Sequence, residues 1–249
     1  MDGVVRFCGV ARFCGDVFCG VFVGAWWYGD ATQMSRMLLT TAAGLTIMGS
    51  LDDRHELSVR TRLIVQTLAV FVMIGSTDVY IRSLGTLNGV QLQLGPLGIP
   101  VTLIAVIGLL NAFNMMDGID GLAAGMAMVS IGTILLFAGG SWPALGVVLL
   151  LQVLFAALVP YLAVNLGWPD GRKIFMGDAG STLIGFLMAW SLIYLSNAKV
   201  GVLAPVDTLW CVAIPVMDTL GVMVRRKRMG RSPFEPDRQH LHHLLCDAG

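Results

Sequence analysis

Charge is scarce in this chain. Only 13% of its 249 residues are Asp, Glu, Lys or Arg, against 56% hydrophobic side chains and a mean hydropathy of +0.76. A soluble globular protein of that composition would have too little polar surface to cover itself, so the chain reads as an integral membrane protein. The long apolar stretches also lack strict apolar/polar alternation. Stretches such as ALGVVLLLQVLFAALVPYLAVNL are apolar on every side, which excludes the strands of a membrane barrel, where the two kinds of residue alternate over about ten positions. The five cysteines are odd in number and lack C-x-x-C spacing, so no disulfide and no redox or zinc motif is read from them. The first twenty residues repeat Phe-Cys-Gly three times without the compact apolar core or small-residue cleavage site of a signal peptide. Residues 1–30 stay unassigned.

What the chain does have is apolar runs near the length of about 20 residues that a bilayer core requires. They cover 37–51, 63–81, 97–113, 121–140, 144–166, 182–197 and 200–224, with an eighth near 16–28. The expected fold is all-α: a polytopic transmembrane helical bundle of seven or eight spans, forming one integral membrane domain over residues 1–249.

The net charge of zero says nothing about partners, but the distribution of charge does. One set of connections holds Arg54, Arg60, Arg62, Arg172, Lys173, Arg225, Arg226, Lys227, Arg228, Arg231 and Arg238; the other holds Arg82 and Lys199. That eleven-to-two bias places the first set in the cytoplasm. LDDRHELSVR, NMMDGID, GRKIFMGDAGS and RRKRMGRSPFEPDRQHLHH then share the inner face, while SLGTLNGVQLQLGP, GGSW and NAK face outward. Acidic residues contribute little to orientation, so carboxylates abutting apolar spans on one face call for a further cause.

Asp52 and Asp53 stand at the inner mouth of the first span beside Arg54. Adjacent carboxylates repel unless a cation sits between them; alone, the pair also reads as a solvated interfacial cap. In NAFNMMDGIDG, three-residue steps keep Asn114, Asp117 and Asp120 near one helix face, and Gly118 and Gly121 let a ligand approach closely. Hard oxygen donors of this kind suit magnesium, which takes one or two carboxylates plus phosphate oxygens. KIFMGDAGSTLIGF sets Gly177, Asp178 and Gly180 ahead of a helix, which is either an anion site at a helix N-terminus or an ordinary cap. The last connection joins a basic run to His240, His242 and His243, with Cys246 a turn further on; a phosphate contact is favoured there over zinc. Asp218, about two turns from the inner end of its span, is a supporting residue behind the site, and Asp207 is interfacial at the outer end.

Together LDDR, NAFNMMDGIDGL, KIFMGDAGSTLIGF and SPFEPDRQHLHH resemble the polyprenyl-phosphate hexose-1-phosphate transferases, the bacterial undecaprenyl-phosphate N-acetylglucosamine-1-phosphate branch above all. The resemblance runs from about residue 36 to 249. It implies an enzyme that moves a sugar 1-phosphate from a UDP-sugar to undecaprenyl phosphate, releasing UMP, at the start of cell-surface polysaccharide synthesis. By that analogy Asp117 and Asp178 bind Mg2+, or Mn2+ in its place. Asp52, Asp53 and Asp120 take catalytic roles, and Asn114 orders the site. Arg226, His240, His242 and His243 contact the nucleotide sugar. The implied partners are both substrates and the lipid bilayer of a bacterial inner membrane, with a second copy as a homodimer and no nucleic acid. Relatives carry an N-terminal motif of which only DGVV is present, and further helices beyond the histidines, so the chain is expected to be truncated at both ends and an inactive homologue is the alternative. A transporter would hold its polar residues near mid-span, whereas these acids gather at helix ends. An Asp-Gly-x-x-Ala-Arg phospholipid synthase would need an Arg that DGIDGLAAG lacks.

Overall fold

A computed structural model of the protein describes residues 33–229, apart from 56, 139–143, 170, 172 and 198. The eighth span near 16–28 and the three histidines of the last connection lie outside the described residues. The helices are α1 (Gln33–His55), α2 (Val59–Thr77), α3 (Gly98–Met116), α4 (Leu122–Ala138), α5 (Leu145–Asn165), α6 (Gly177–Leu195), α7 (Pro205–Cys211) and α8 (Ala213–Arg228). A two-stranded antiparallel hairpin, β1 (Ser83–Leu87) and β2 (Val90–Gln93), joins α2 to α3.

The helical bundle expected from composition is present, and the protein is a multi-pass membrane protein. Among the described residues, four helices, α2, α3 with its preceding turn, α5 and α6, are each long and apolar enough to cross a bilayer, and α7 with α8 meets the same measure only as a pair bent by 75°; the seven or eight spans expected are for the whole chain. α4 is apolar but only 17 residues long. α1 has the length, but its Gln, Ser, Thr and charged residues make it too polar.

α6 is the axis. Sixteen of its 19 residues are buried, because α1 and α3 pack along two of its sides. Helix association within a membrane relies on close packing at small residues, and two glycines set the distances here. A Cβ on Gly49 of α1 would lie 2.5 Å from the Cα of Ala179, and one on Gly185 of α6 would lie 2.8 Å from the Cα of Leu110. The outward faces carry exposed Ile64, Leu68, Ile104, Val129, Leu136 and Phe137, which suits acyl chains.

Three boundaries depart from the sequence pattern. α6 begins at Gly177, five residues before the apolar run expected from 182, so Asp178 and Ser181 are helical. The run 200–224 is broken at Val212, where φ −124° and ψ 23° leave the helical region. The outer connection folds as a hairpin because Asn88 (φ 50°) and Gly89 (φ 80°) take the positive-φ pair that a tight two-residue turn requires.

The described parts of the expected inner set, around Asp52, Asp117 and Asp178, meet at one end of the bundle, and the hairpin and α7 sit at the other. The packing argument yields a direct check. Gly49→Ala and Gly185→Ala should each destabilise the bundle by about 1–3 kcal/mol, the usual cost of overpacking, seen as a lower apparent Tm in detergent. Gly44→Ala, whose Cβ would meet nothing within 4 Å, should leave it unchanged.

Candidate active site

The part-buried start of α6 organises the site. The first N–H groups of a helix have no partner inside it, and here carboxylates from two other helices supply them. Asp53 near the end of α1 accepts from the N–H groups of Asp178 (Oδ1, 2.8 Å) and Ala179 (Oδ2, 3.4 Å). Asp117, just past α3, accepts from the N–H of Gly177 at 3.0 Å through Oδ2. The anion-binding turn read from KIFMGDAGS is therefore already occupied by the protein's own acids. Gly177 is at φ +70°, where side chains are rare, and a Cβ there would stand 2.8 Å from Asp53 Oδ2.

Asp178 points from α6 toward two partners. Asn114 Nδ2 donates to its Oδ1 at 2.5 Å and also reaches Ser181 Oγ at 3.3 Å. Arg62 Nη1 of α2 lies 3.4 Å from Asp178 Oδ2 and 3.1 Å from Asp52 Oδ2, so one guanidinium stands between carboxylates of α1 and α6. Asp52 is 4% exposed, and its second oxygen accepts from the N–H of Leu57 at 2.7 Å. The two neighbouring acids are thus divided: Asp52 holds the turn into α2 and Arg62, while Asp53 holds α6.

Five expected site residues, Asp52, Asp53, Asn114, Asp117 and Asp178, come together. Asp120 does not stay in register with them. α3 ends at Met116, the chain turns through 117–121 with Gly121 at φ +77°, and Asp120 pairs instead with Lys173 at 2.6 Å. Asn111, the first polar residue of the series, turns toward α2 and donates to Gln66 Oε1 at 3.3 Å. Arg226 is buried in the last turn of α8, which packs on α3. Asp218 sits half-buried on α8, and no hydrogen bond or ion pair among the described residues ties it to the carboxylates. Arg62 is the residue that pattern reading missed: it was counted only among the charges that orient the chain.

Crowding has an electrostatic consequence. Burial pushes the Asp117 carboxyl up to about 7; the bond from Gly177 N–H opposes this, while the charges of Asp178, Asp53 and Asp120 add to it. Asp53 is raised by burial against the bond from Asp178 N–H, and Asp52 is raised by burial against the pull of Arg62. Among the described residues, no three His, Cys, Asp or Glu side chains form a metal cage by themselves.

Residues 35–196, which hold every carboxylate of this cluster, match the sequence profile of glycosyl transferase family 4. The chain belongs to that family. The family-4 chain is 44% identical over 238 residues to the undecaprenyl-phosphate alpha-N-acetylglucosaminyl 1-phosphate transferase of Yersinia pestis, covering 94% of this chain and 64% of that protein. Proteins of the same name from Escherichia coli K12 (45% over 218 residues; 86% and 58%) and Haemophilus influenzae (40% over 230 residues; 88% and 62%) are also similar. The chain spans about three-fifths of the length of these curated relatives.

The raised carboxyl makes a pH prediction for the family-4 fold. Asp117 binds its proton more tightly when folded, near 7, than when unfolded, near 3.8. The folded state therefore holds the extra proton between those values, and stability falls as pH rises through that window. In metal-free detergent buffer the apparent Tm should drop between about pH 5 and pH 7.5, and Asp117→Asn should flatten the drop.

Proposed function

We propose that this chain transfers N-acetylglucosamine 1-phosphate from UDP-N-acetylglucosamine to undecaprenyl phosphate, at the cytoplasmic face of a bacterial inner membrane. One observation carries the reading: Asp52 and Asp53 of α1, Asp117 just past α3 and Asp178 of α6 crowd at one end of the bundle, with the Arg62 guanidinium between Asp52 and Asp178. The relatives' names supply the substrate class, and the eleven-to-two charge bias supports the orientation.

Magnesium fits the donor set. It asks for only one or two carboxylates and completes its shell with phosphate oxygens and water, so a three-residue cage is not required. The carboxyl group of Asp117, raised by burial and further by the like charges around it, is the kind of site a cation relieves. Asp117 and Asp178 are the residues that would hold the ion, and when bound it would neutralise charge on the diphosphate.

In the proposed step an oxygen of the lipid phosphate attacks the sugar-bearing phosphorus of the donor. A new P–O bond forms, the P–O bond to UMP breaks, and UMP leaves with the electron pair. A phosphate monoester has a second pKa of about 6, so the attacking oxygen carries its charge at neutral pH and needs no strong base. What it needs is alignment and charge compensation. Arg62 supplies fixed positive charge and binds planar oxygen pairs well. Asp53 keeps the start of α6 in place, Asn114 orients Asp178, and Asp52 holds Arg62 at the mouth of the site.

Detergent-solubilised protein given magnesium, undecaprenyl phosphate and labelled UDP-N-acetylglucosamine should form a lipid-linked product and release UMP. Asp117→Asn and Arg62→Gln should each lower the rate by about 100-fold, the scale expected for losing one preorganised charge contact. Absence of product, with Asp117→Asn indistinguishable from the parent, would sink the reading.

A further inference from the structure

At the end of the bundle opposite the carboxylates, the hairpin and α7 leave apolar side chains uncovered. In β2 alternate residues point to opposite faces, and the bond from Gln93 Nε2 to Gln91 Oε1 puts those two on one face. The register pairs them with Ser83 and Thr86, so that face is polar throughout. Val90 and Leu92 occupy the other face, 66% and 44% exposed, and Leu84 in the bulge opposite Leu92 is 51% exposed. The hairpin is therefore amphipathic, and among the described residues none covers its apolar side.

This hairpin is firmly held. Leu94 N–H donates to Arg82 O at 2.9 Å and Ile81 N–H to Thr102 Oγ1 at 2.9 Å. A Cβ on Gly98 would strike the carbonyl oxygen of Ile81 and the ring of Tyr80. Arg82 lies 4.4 Å above that ring and pairs with Asp78 at 2.7 Å. β1 also packs on α7, with Gly85 against Pro205. In α7, Val206, Leu209 and Trp210 fall at i, i+3 and i+4, which is one helix face, and all three are exposed, Trp210 by 76%.

Three facts identify the occupant of these faces. The hairpin connects the outer ends of two spans, α2 and α3, so it sits at the level where hydrocarbon gives way to headgroups. α7 is turned 75° from α8, which lays it close to the membrane plane when α8 runs across the membrane. Its exposed Trp and the neighbouring Tyr80 and Arg82 are the residue types that collect at that boundary. We propose that the hairpin and α7 form a single interfacial ledge, with Leu84, Val90, Leu92, Val206, Leu209 and Trp210 seated in the lipid of the leaflet remote from the carboxylate site. The stretch read from sequence as an outward loop is then a membrane-bound platform, as is the first part of the run read as a continuous span.

The test uses the unaltered chain in phosphatidylcholine vesicles that contain a lipid with a photoactivatable diazirine near the glycerol end of its acyl chain. After illumination, peptides spanning 83–93 and 205–211 should carry lipid adducts. Val90→Asp with Leu92→Asp should remove most of the adduct from 83–93, roughly tenfold for a face that no longer enters the interface, while labelling of α3 persists and reports an intact fold. Labelled α2 and α3 with an unlabelled 83–93 peptide would overturn the proposal; this includes the case in which a second protein copy, not lipid, covers the hairpin.

Discussion

The start of α6 is the constraint on which the molecule turns. The first N–H groups of a helix have no partner within it, and at a part-buried start such as this one leaving them unpaired costs free energy. The answer here is two carboxylates from elsewhere: Asp53 on α1 takes two of the donors and Asp117 at the end of α3 takes a third. That solution ties three helices together at one level. It accounts for Gly177, which alone leaves room for Asp53, and for Gly49, which lets α1 approach the backbone of α6. It also concentrates negative charge, and the burial and mutual repulsion that raise Asp117 follow from it. The cluster that ties the three helices together is the same one proposed to handle phosphate.

Arg62 completes that balance. Carboxylates this close require a counter-charge, and a guanidinium between Asp52 and Asp178 provides one within the chain. The ion pair is part-exposed on the Arg side and buried on the Asp52 side, so it costs desolvation on one partner only and remains open to an incoming anion. Lys173 plays a smaller role of the same kind: by pairing with Asp120 it fastens the segment before α6 onto the turn after α3, and Asn165 Nδ2 adds a bond to the carbonyl of Ile174 at 2.6 Å.

Much of this was legible in the residues, and the failures have physical reasons. Long apolar runs mark helices because a bilayer demands them, so the existence of the bundle and the grouping of its polar connections at one end could be read directly. Helix ends could not, because apolar runs report burial and not hydrogen bonding: α6 starts at Gly177 for the sake of Asp53 and Asp117, neither of which is local. Three-residue spacing suggested that Asn111, Asn114, Asp117 and Asp120 act together, but the end of α3 at Met116 sends them to four separate partners. The hairpin did have a signal, Asn88-Gly89 between alternating residues, hidden by the habit of reading a polar connection between spans as a loop. Arg62 had none, since its meaning depends on two acids 10 and 116 positions away.

Family membership and the shared end of the bundle support a transferase site, whose central claim is that Asp117 and Asp178 together hold a divalent cation. Mn2+, which favours an octahedral oxygen shell as Mg2+ does, makes that claim measurable without substrate. Titrating the detergent-solubilised protein while following the loss of the free Mn2+ resonance should give one bound ion per chain, with binding abolished in both Asp117→Asn and Asp178→Asn and retained in Asp207→Asn, at the opposite end of the bundle. Stoichiometric binding that survives the first two substitutions would contradict it.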